Sequence, residues 1–262
     1  MADVYIAPTA QGTGDGTSAA NAYAYSSLSS AESDAGSGGI IYFLDSATYG
    51  NYTTTIPNFT ADGVTYQSLI PHGAIFQPAS FSYMNLADTS TPTGVTVKDF
   101  YIKDLRVFTA SHTGSSLIDN CKFESTVNFD SYLWNLGSSN VTIQNCTANI
   151  SFSDATEIII SNASNATIKG NTLYIKPQSS VSSAGLTTSS IGTSKNNIFV
   201  STDSSKIGTN IATNSSNCCF HAFGTQSGGT NNIFSDPQFI DSANGDFRLR
   251  PTSPCIGAAT LS

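Results

Sequence analysis

Ser116-Leu117-Ile118-Asp119-Asn120-Cys121-Lys122-Phe123, Val141-Thr142-Ile143-Gln144-Asn145-Cys146-Thr147-Ala148, Ala166-Thr167-Ile168-Lys169-Gly170-Asn171-Thr172-Leu173 and Ile191-Gly192-Thr193-Ser194-Lys195-Asn196-Asn197-Ile198 start at equal intervals and align without a gap. The columns have physical sense. Ile118, Ile143, Ile168 and Thr193 fall together, as do Phe123, Ala148, Leu173 and Ile198, then Ser125, Ile150, Ile175 and Val200. A fixed period of about 20 to 50 residues is the mark of a solenoid, whose repeats bury their apolar faces against one another.

Each repeat holds further strand-like segments, because Phe108, Leu133 and Ile158 recur at the same interval, and so do Val127 and Phe152. Three short strands per coil, with bends between them, predict a parallel β-helix in which neighbouring coils pair strand to strand. A left-handed helix built from hexapeptides has coils of about 18 residues, so the longer period here favours the right-handed form. Asn120, Asn145 and Gly170 share one column and tolerate left-handed backbone angles, which marks a corner. Lys195 stands in the same column and does not suit it, so the corner is expected to move onto Asn196 or Asn197. The predicted fold class is all-β: a right-handed parallel β-helix solenoid with coils of about 25 residues, a short N-terminal capping helix and a hairpin-like C-terminal cap.

Working outward, Val4-Tyr5-Ile6-Ala7-Pro8 reads as a strand ended by proline, and Leu28, Ala31 and Ala35 at helical spacing before Gly36 predict a helix over residues 26–35. That helix would cover the open end of the solenoid. Gly39-Ile40-Ile41-Tyr42-Phe43-Leu44 is the first strongly buried strand, and strand-like runs follow at Val64-Thr65-Tyr66, Ala74-Ile75-Phe76, Val95-Thr96-Val97 and Leu105-Arg106-Val107-Phe108. Their uneven spacing predicts insertions on one side of the coils. Asn217-Cys218-Cys219-Phe220 and Asn231-Asn232-Ile233-Phe234 read as last coils. Phe239-Ile240, Asn244-Gly245 and Phe247-Arg248-Leu249 then read as a hairpin with a two-residue or slightly longer turn. One domain over residues 1–262 is expected, with an N-terminal cap at 1–39, coils at 40–234 and a C-terminal cap at 235–262.

The composition narrows function more than it identifies it. Of 262 residues, 39% are hydrophobic, enough for a core, and only 11% are charged. A net charge of −8 with ten Lys and Arg residues argues against nucleic acid and anionic membranes as partners. No apolar run reaches the length of a membrane-spanning helix, and no signal peptide is visible, so a soluble chain is expected. Cys121 and Cys146 share a column and are expected on neighbouring coils. Paired strands lie about 4.8 Å apart, but stacked side chains point the same way, so buried thiols and not a disulfide are expected. Cys218-Cys219 has only His221 nearby to support a metal, and the packed-thiol reading is preferred. Asp15, between Gly14 and Gly16, is the one place to look for calcium, although such a loop needs more oxygen ligands and a plain turn accounts for it. No other cofactor is indicated.

Taken together, the two ends and the middle resemble the right-handed parallel β-helix superfamily of pectate-lyase-like proteins, which includes polysaccharide lyases, glycoside hydrolases and phage tailspikes. The resemblance covers nearly the whole chain. It rests on Tyr5-Ile6-Ala7-Pro8 with Gly14-Asp15-Gly16-Thr17-Ser18 and on the capping helix before a Gly-Ile-Ile-Tyr-Phe strand. At the other end it rests on Asp236-Pro237-Gln238-Phe239 through Gly245-Asp246-Phe247-Arg248-Leu249 to Ser253-Pro254-Cys255-Ile256-Gly257. These motifs speak for fold and select no activity.

For a lyase the resemblance implies a Lys or Arg that takes the proton beside a uronate carboxyl, with calcium or Arg stabilising the anion. Lys98, Lys103, Arg106 and Lys122 are the densest basic group, near Asp99, Asp104, Asp119 and Glu124. For a hydrolase, two carboxylates about 5 to 9.5 Å apart are needed, and Asp104, Asp119, Glu124 and Asp130 are available. The Asn-Thr-Asp, Asp-Asp, Gly-His-Gly and Arg-Ile-Lys signatures of the polygalacturonase branch are absent, which lowers that reading. Lys103, Arg106, Asp104, Asp119 and Glu124 are thus the catalytic candidates, against the plain alternative of a solvated face with ion pairs. His72, His112 and His221 read as structural. Outward columns hold Trp134 beside Ile159, and Glu124, Asn149, Tyr174 and Phe199, so Trp134, Tyr132 and Tyr174 are the candidates for binding sugar or another subunit. Asn-x-Ser/Thr triplets such as Asn145-Cys146-Thr147 follow from composition and need no glycosylation.

The function expected is a structural or receptor-binding β-helix of a virion surface, such as a tailspike, fibre or capsid decoration, contacting glycans or neighbouring subunits. As phage spikes of this type are commonly trimers, the resemblance implies a homo-oligomer, with other virion proteins and polysaccharide as partners and a virion-surface or extracellular location. The alternatives are a depolymerase acting on acidic glycans and a non-catalytic carbohydrate-binding module.

Overall fold

The computed structural model describes residues 3–45, 47–49, 58–59, 61–78, 82–86, 94–109, 114–125, 133–137, 140–152, 158–161, 163–177, 184–187, 191–205, 207–208, 215–223 and 229–260. The fold is an all-β parallel β-solenoid with coils of ~25 residues and one short helix near the N-terminus. Its residues group into two compact units, Met1–Glu124 with Ser139–Val141, and Ser125–Ser138 with Thr142–Ser262.

In the first unit three parallel sheets are built from successive coils. One contains Asp3–Ala7, Ile40–Phe43, Thr65–Ser68, Thr96–Lys98 and Ser115–Asp119. Tyr23–Ala24 lies on its free edge beside Asp3–Ala7. A second contains Ala47–Tyr49, Ala74–Phe76, Tyr101–Lys103 and Lys122–Glu124. The third contains Asn58–Phe59, Ser82–Leu86 and Leu105–Thr109. Alternation along each strand sends Ile41 and Phe43, Tyr66, Val97, Ile102 and Phe123 inward, where they are buried. The core here is aromatic: Phe43 meets Tyr49, Phe76 and Phe100 edge to face, with ring centres 5.1, 5.5 and 5.1 Å away. The helix, Leu28–Ala35, follows a short 3-10 turn and ends at Gly36, which has φ 62°. It buries Ala31 and Ala35, and Tyr25 from the turn packs on Tyr49 at 5.5 Å, so this segment covers the core as the spacing predicted.

The irregular spacing has a structural counterpart. Tyr42 pairs with Gln67 at the regular period, but the step from Thr65 to its partner Thr96 is longer and that from Thr96 to Leu117 is shorter. Coils of different length still meet at common corners. Gly38 donates to the Gly63 carbonyl and Gly63 to the Gly94 carbonyl, a backbone ladder entering this sheet. A side chain at Gly94 would place its Cβ 2.5 Å from the Ser115 oxygen, which only glycine avoids.

In the second unit, residues 142–144 pair with Thr167–Lys169, then Thr193–Lys195 and Ser215–Ser216. Thr147–Phe152 pairs with Thr172–Pro177, then Ile198–Ser201 and Cys219–His221. Trp134–Asn135, Ile158–Ser161, Ala184–Thr187 and Ile207–Gly208 form the third sheet. The gap-free alignment breaks at its fourth copy. There Thr167 pairs with Thr193, and Leu173 pairs with Phe199 instead of its aligned partner Ile198. The corner moves with the strands. Asn120, Asn145 and Gly170 have φ of 52°, 55° and 65°, and the next left-handed residue is Asn196 at 55°, not Lys195. His72, Asp99, Asn217 and Asn231 share this conformation. A slip by a single position exchanges faces, so Phe199, expected outside, is buried in a stack with Phe220 at 5.2 Å.

The residue after each corner points inward and joins the coils. Cys146 N donates to Asn171 Oδ1 at 2.8 Å and Asn171 N to Asn197 Oδ1 at 2.9 Å, while the Asn171 and Asn197 Nδ2 atoms donate to the Ile143 and Ile168 carbonyls. Cys218 N continues the pattern to Asn232 Oδ1. Cys146 and Cys218 occupy the same position on their coils as buried thiols, and Cys121 does so in the first unit; all five cysteines are thiols.

After the last coil the chain forms an antiparallel hairpin, Phe239–Asp241 with Asp246–Leu249. Its loop is longer than a two-residue turn: a 3-10 turn, Ser242–Asn244, is capped by the Asp241 carboxylate and closed by Gly245 at φ 79°.

Candidate functional site

Strand alternation in the second unit leaves Tyr174, Val200 and His221 in one outward column, by the pairings Tyr174 with Val200 and Val200 with His221. The hairpin reaches this outer face through Phe247, whose ring centre lies 5.4 Å from that of Tyr174, and Phe239 packs edge to face on Phe247 at 5.2 Å. Between coil face and cap runs a groove of about 690 Å³. Tyr174, Val200, Ser201 and His221 line one wall, and Asp236, Gln238, Arg250 and Thr252 the other.

The cap wall is held by its own bonds. Arg250 donates from Nε to the Phe239 carbonyl at 3.1 Å and from Nη2 to the Ile240 carbonyl at 3.2 Å, and its backbone N–H bonds the Gln238 carbonyl. Gln238 stands at φ 56°, with its N–H on Asp236 Oδ1 and its Oε1 accepting from Thr252 Oγ1 at 2.6 Å. A guanidinium carries five donors in a rigid fork, so two fixed to the backbone orient the remainder. The groove thus sets an aromatic ring beside imidazole, carboxylate, amide, hydroxyl and guanidinium groups, a lining that can offer both stacking on the arene and hydrogen bonds from the polar atoms.

The catalytic candidates lie in the first unit, and only some of them meet. Lys103 pairs across strands with Glu124, and Lys122 Nζ is 3.4 Å from Glu124 Oε2. Between them stands Tyr101, which the sequence did not single out. Its hydroxyl donates to Glu124 Oε2, and the Lys103 and Lys122 ammonium groups lie 4.6 and 4.3 Å from its ring centre. Burial, then Glu124, pushes the Tyr101 hydroxyl well above its ordinary value. Burial alone would raise the Glu124 carboxyl, but the Tyr101 hydroxyl with Lys122 and Lys103 holds it below the usual range. A carboxylate so held is ionised and braced.

Asp104 is the corner between Tyr101–Lys103 and Leu105–Thr109, with φ 54° and 6% exposure, and its N–H bonds the Glu124 carbonyl at 2.9 Å. Asp99 is likewise a buried corner, its carboxylate taken by Gln67 Nε2 and Asn120 Nδ2, both at 2.7 Å. Asp119 pairs with Lys98 across the first sheet, and Arg106 with Tyr83 across the third. These acids are explained by geometry before chemistry.

The binding candidates separate. Trp134 is fully buried and pairs with Ile160, not with Ile159, so it fills the core and offers no sugar platform. Tyr132, Asp130 and His112 lie outside the described residues. Tyr174 is the one that joins a groove. His72 is a corner residue with Nε2 2.8 Å from the Asn120 carbonyl oxygen, a structural role, whereas His221 lines the groove. The Asp15 carboxylate accepts from Thr13 Oγ1, Thr17 N and Thr17 Oγ1, chiefly the last, which holds it below its ordinary range. Among the described residues no three His, Cys, Asp or Glu side chains gather as a metal site. No family model matches the chain, and neither does any curated protein or solved structure.

Proposed function

We propose that this protein is a rigid, non-catalytic β-solenoid of a particle or cell surface, of the virion spike, fibre or decoration kind, which binds a glycan in the groove between Tyr174 and the C-terminal cap. One observation carries the reading: Tyr174, braced from behind by its ring contact with Phe247, lines the groove together with fixed polar groups from Gln238, Arg250 and Thr252. Support against catalysis comes from the acids themselves, since Asp99 and Asp104 are buried corners and Glu124 is held by Tyr101 and Lys122. Assembly as a homo-oligomer belongs to the same reading and is checked by sedimentation.

The test is binding of the full chain to a broad glycan array, followed by calorimetry on the best hit. Tyr174→Ala and Arg250→Ala should each weaken binding about tenfold or more while leaving the circular dichroism spectrum unchanged. No binding across the array, or binding indifferent to both substitutions, would remove the groove from consideration. New reducing ends or unsaturated products in the same samples would replace the non-catalytic reading by a depolymerase.

A further inference from the structure

The corner column of the second unit already holds a piece of chain. Past Gly257, which stands at φ 75°, Thr260 lies across two corners. Asn196 pairs with both main-chain groups of that residue: its Nδ2 donates to the Thr260 carbonyl at 2.9 Å and its Oδ1 accepts from Thr260 N at 3.3 Å. At the next corner Asn217 Nδ2 donates to Thr260 Oγ1 at 2.9 Å. The N–H and C=O of one residue point the same way in extended chain, so a side-chain amide that takes both reads extended main chain as a neighbouring strand does. In the other direction along the column the corner is Gly170 in place of an asparagine. Without a side chain there, a groove of about 360 Å³ opens between Asn145 and Asn196, lined also by Lys169 and by Ala259 and Thr260. On the strands that enter these corners Lys169 pairs with Lys195, both on the outward side next to the buried Ile168 and Ser194. Paired strands lie about 4.8 Å apart, so two like charges are held against each other. Among the described residues neither ammonium is in an ion pair, although the chain has 18 acidic residues to 10 basic ones.

We propose that the groove at Gly170 and the lysine pair beside it are a docking surface for an extended acidic segment of a partner protein. The segment lies next to the chain's own Ala259 and Thr260, with its main chain along the corners and its carboxylates on Lys169 and Lys195. Three separate observations select this occupant. The corner beside the groove already holds main chain, the groove has room because one corner lacks its side chain, and the charge next to it is positive. The surface shares no residue with the groove at Tyr174, so it does not rest on the glycan reading.

The probe is a fluorescein-labelled peptide of alternating Thr and Glu, read by anisotropy against the full chain. It should bind saturably, and the same peptide with Gln in place of Glu should not. Lys169→Gln and Lys195→Gln should each weaken binding about fivefold. Gly170→Asn keeps a residue type that tolerates the left-handed corner and fills the groove, so it should abolish binding while leaving the circular dichroism spectrum unchanged. Tyr174→Ala should leave peptide binding as it was. No saturable binding up to about 1 mM, equal binding of the Gln peptide, or binding indifferent to both lysine substitutions would each overturn the inference. So would an oligogalacturonate that binds through the same lysines more tightly than the peptide, since the ligand would then be an acidic glycan.

Discussion

Adjacent asparagines in this chain do different work, and the difference is measurable. Asn145 is an exposed corner at φ 55°, a conformation that glycine adopts freely at the equivalent Gly170. Asn171, next in the following coil after that glycine, is buried and serves the Cys146 N–H and the Ile143 carbonyl. Asn145→Gly should change stability by less than about 0.5 kcal/mol, because it keeps the backbone angle. Asn171→Ala should cost about 3 kcal/mol by leaving a buried donor and a buried acceptor unpaired. Urea unfolding of the two variants checks this, and equal costs would contradict it. The corner column was legible in the sequence since it needs only residue type and period. The inward role of Asn171 and Asn197 was not, because a polar residue in an apolar column looks like a break in the pattern until its partners on the next coil are seen.

At the scale of strands and helices, what was legible was whatever is local and periodic: the entry strand, the helix before Gly36, most first-sheet strands and the hairpin. Ala47–Tyr49, Asn58–Phe59 and Ser82–Leu86 were missed, and so, more tellingly, were Tyr101–Lys103 and the cap's seat on the outer face of the coils. Only three residues long, the former is flanked by the corners Asp99 and Asp104, which read as charges; the latter joins residues far apart with no shared period. The helix provides a pH test. Glu32 accepts from the Tyr66 hydroxyl at 2.7 Å and so ties the helix to the strand Thr65–Ser68, while burial holds its carboxyl above the ordinary value of 4.5. A raised carboxyl favours the folded state fully below that ordinary value, and the advantage is lost as pH rises through the folded one. Glu32→Gln, which can still accept from Tyr66, should match the parent near pH 4 and melt about 2 °C higher at pH 7. Thermal melts across that range decide it; an equal or lower Tm at pH 7 would refute the account.

For the molecule as a whole, sheet contacts join residues distant in sequence, Ser194 with Ser215 and Asp3 with Ile40 among them. Parallel pairing at such separations requires closing a loop before any contact forms, so refolding from denaturant should take seconds or longer, against milliseconds for a helical chain of similar length. Manual-mixing fluorescence through Trp134, buried in the core, will follow it. Completion within the dead time of a stopped-flow instrument would be incompatible with this topology forming in the observed step.

The left-handed corners carry one more consequence, for descent. Each coil of the second unit is indexed by its corner and not by its length. The regular step from Asn145 to Gly170, the longer one from Gly170 to Asn196 and the shorter one from Asn196 to Asn217 therefore coexist without loss of register. Asn196-Asn197 already shows a corner asparagine followed directly by an inward one. A duplication or deletion running from one corner to the next would reproduce such a junction, so ancestral chains of this kind can gain or shed whole coils in a single genetic event while every surviving corner stays in place.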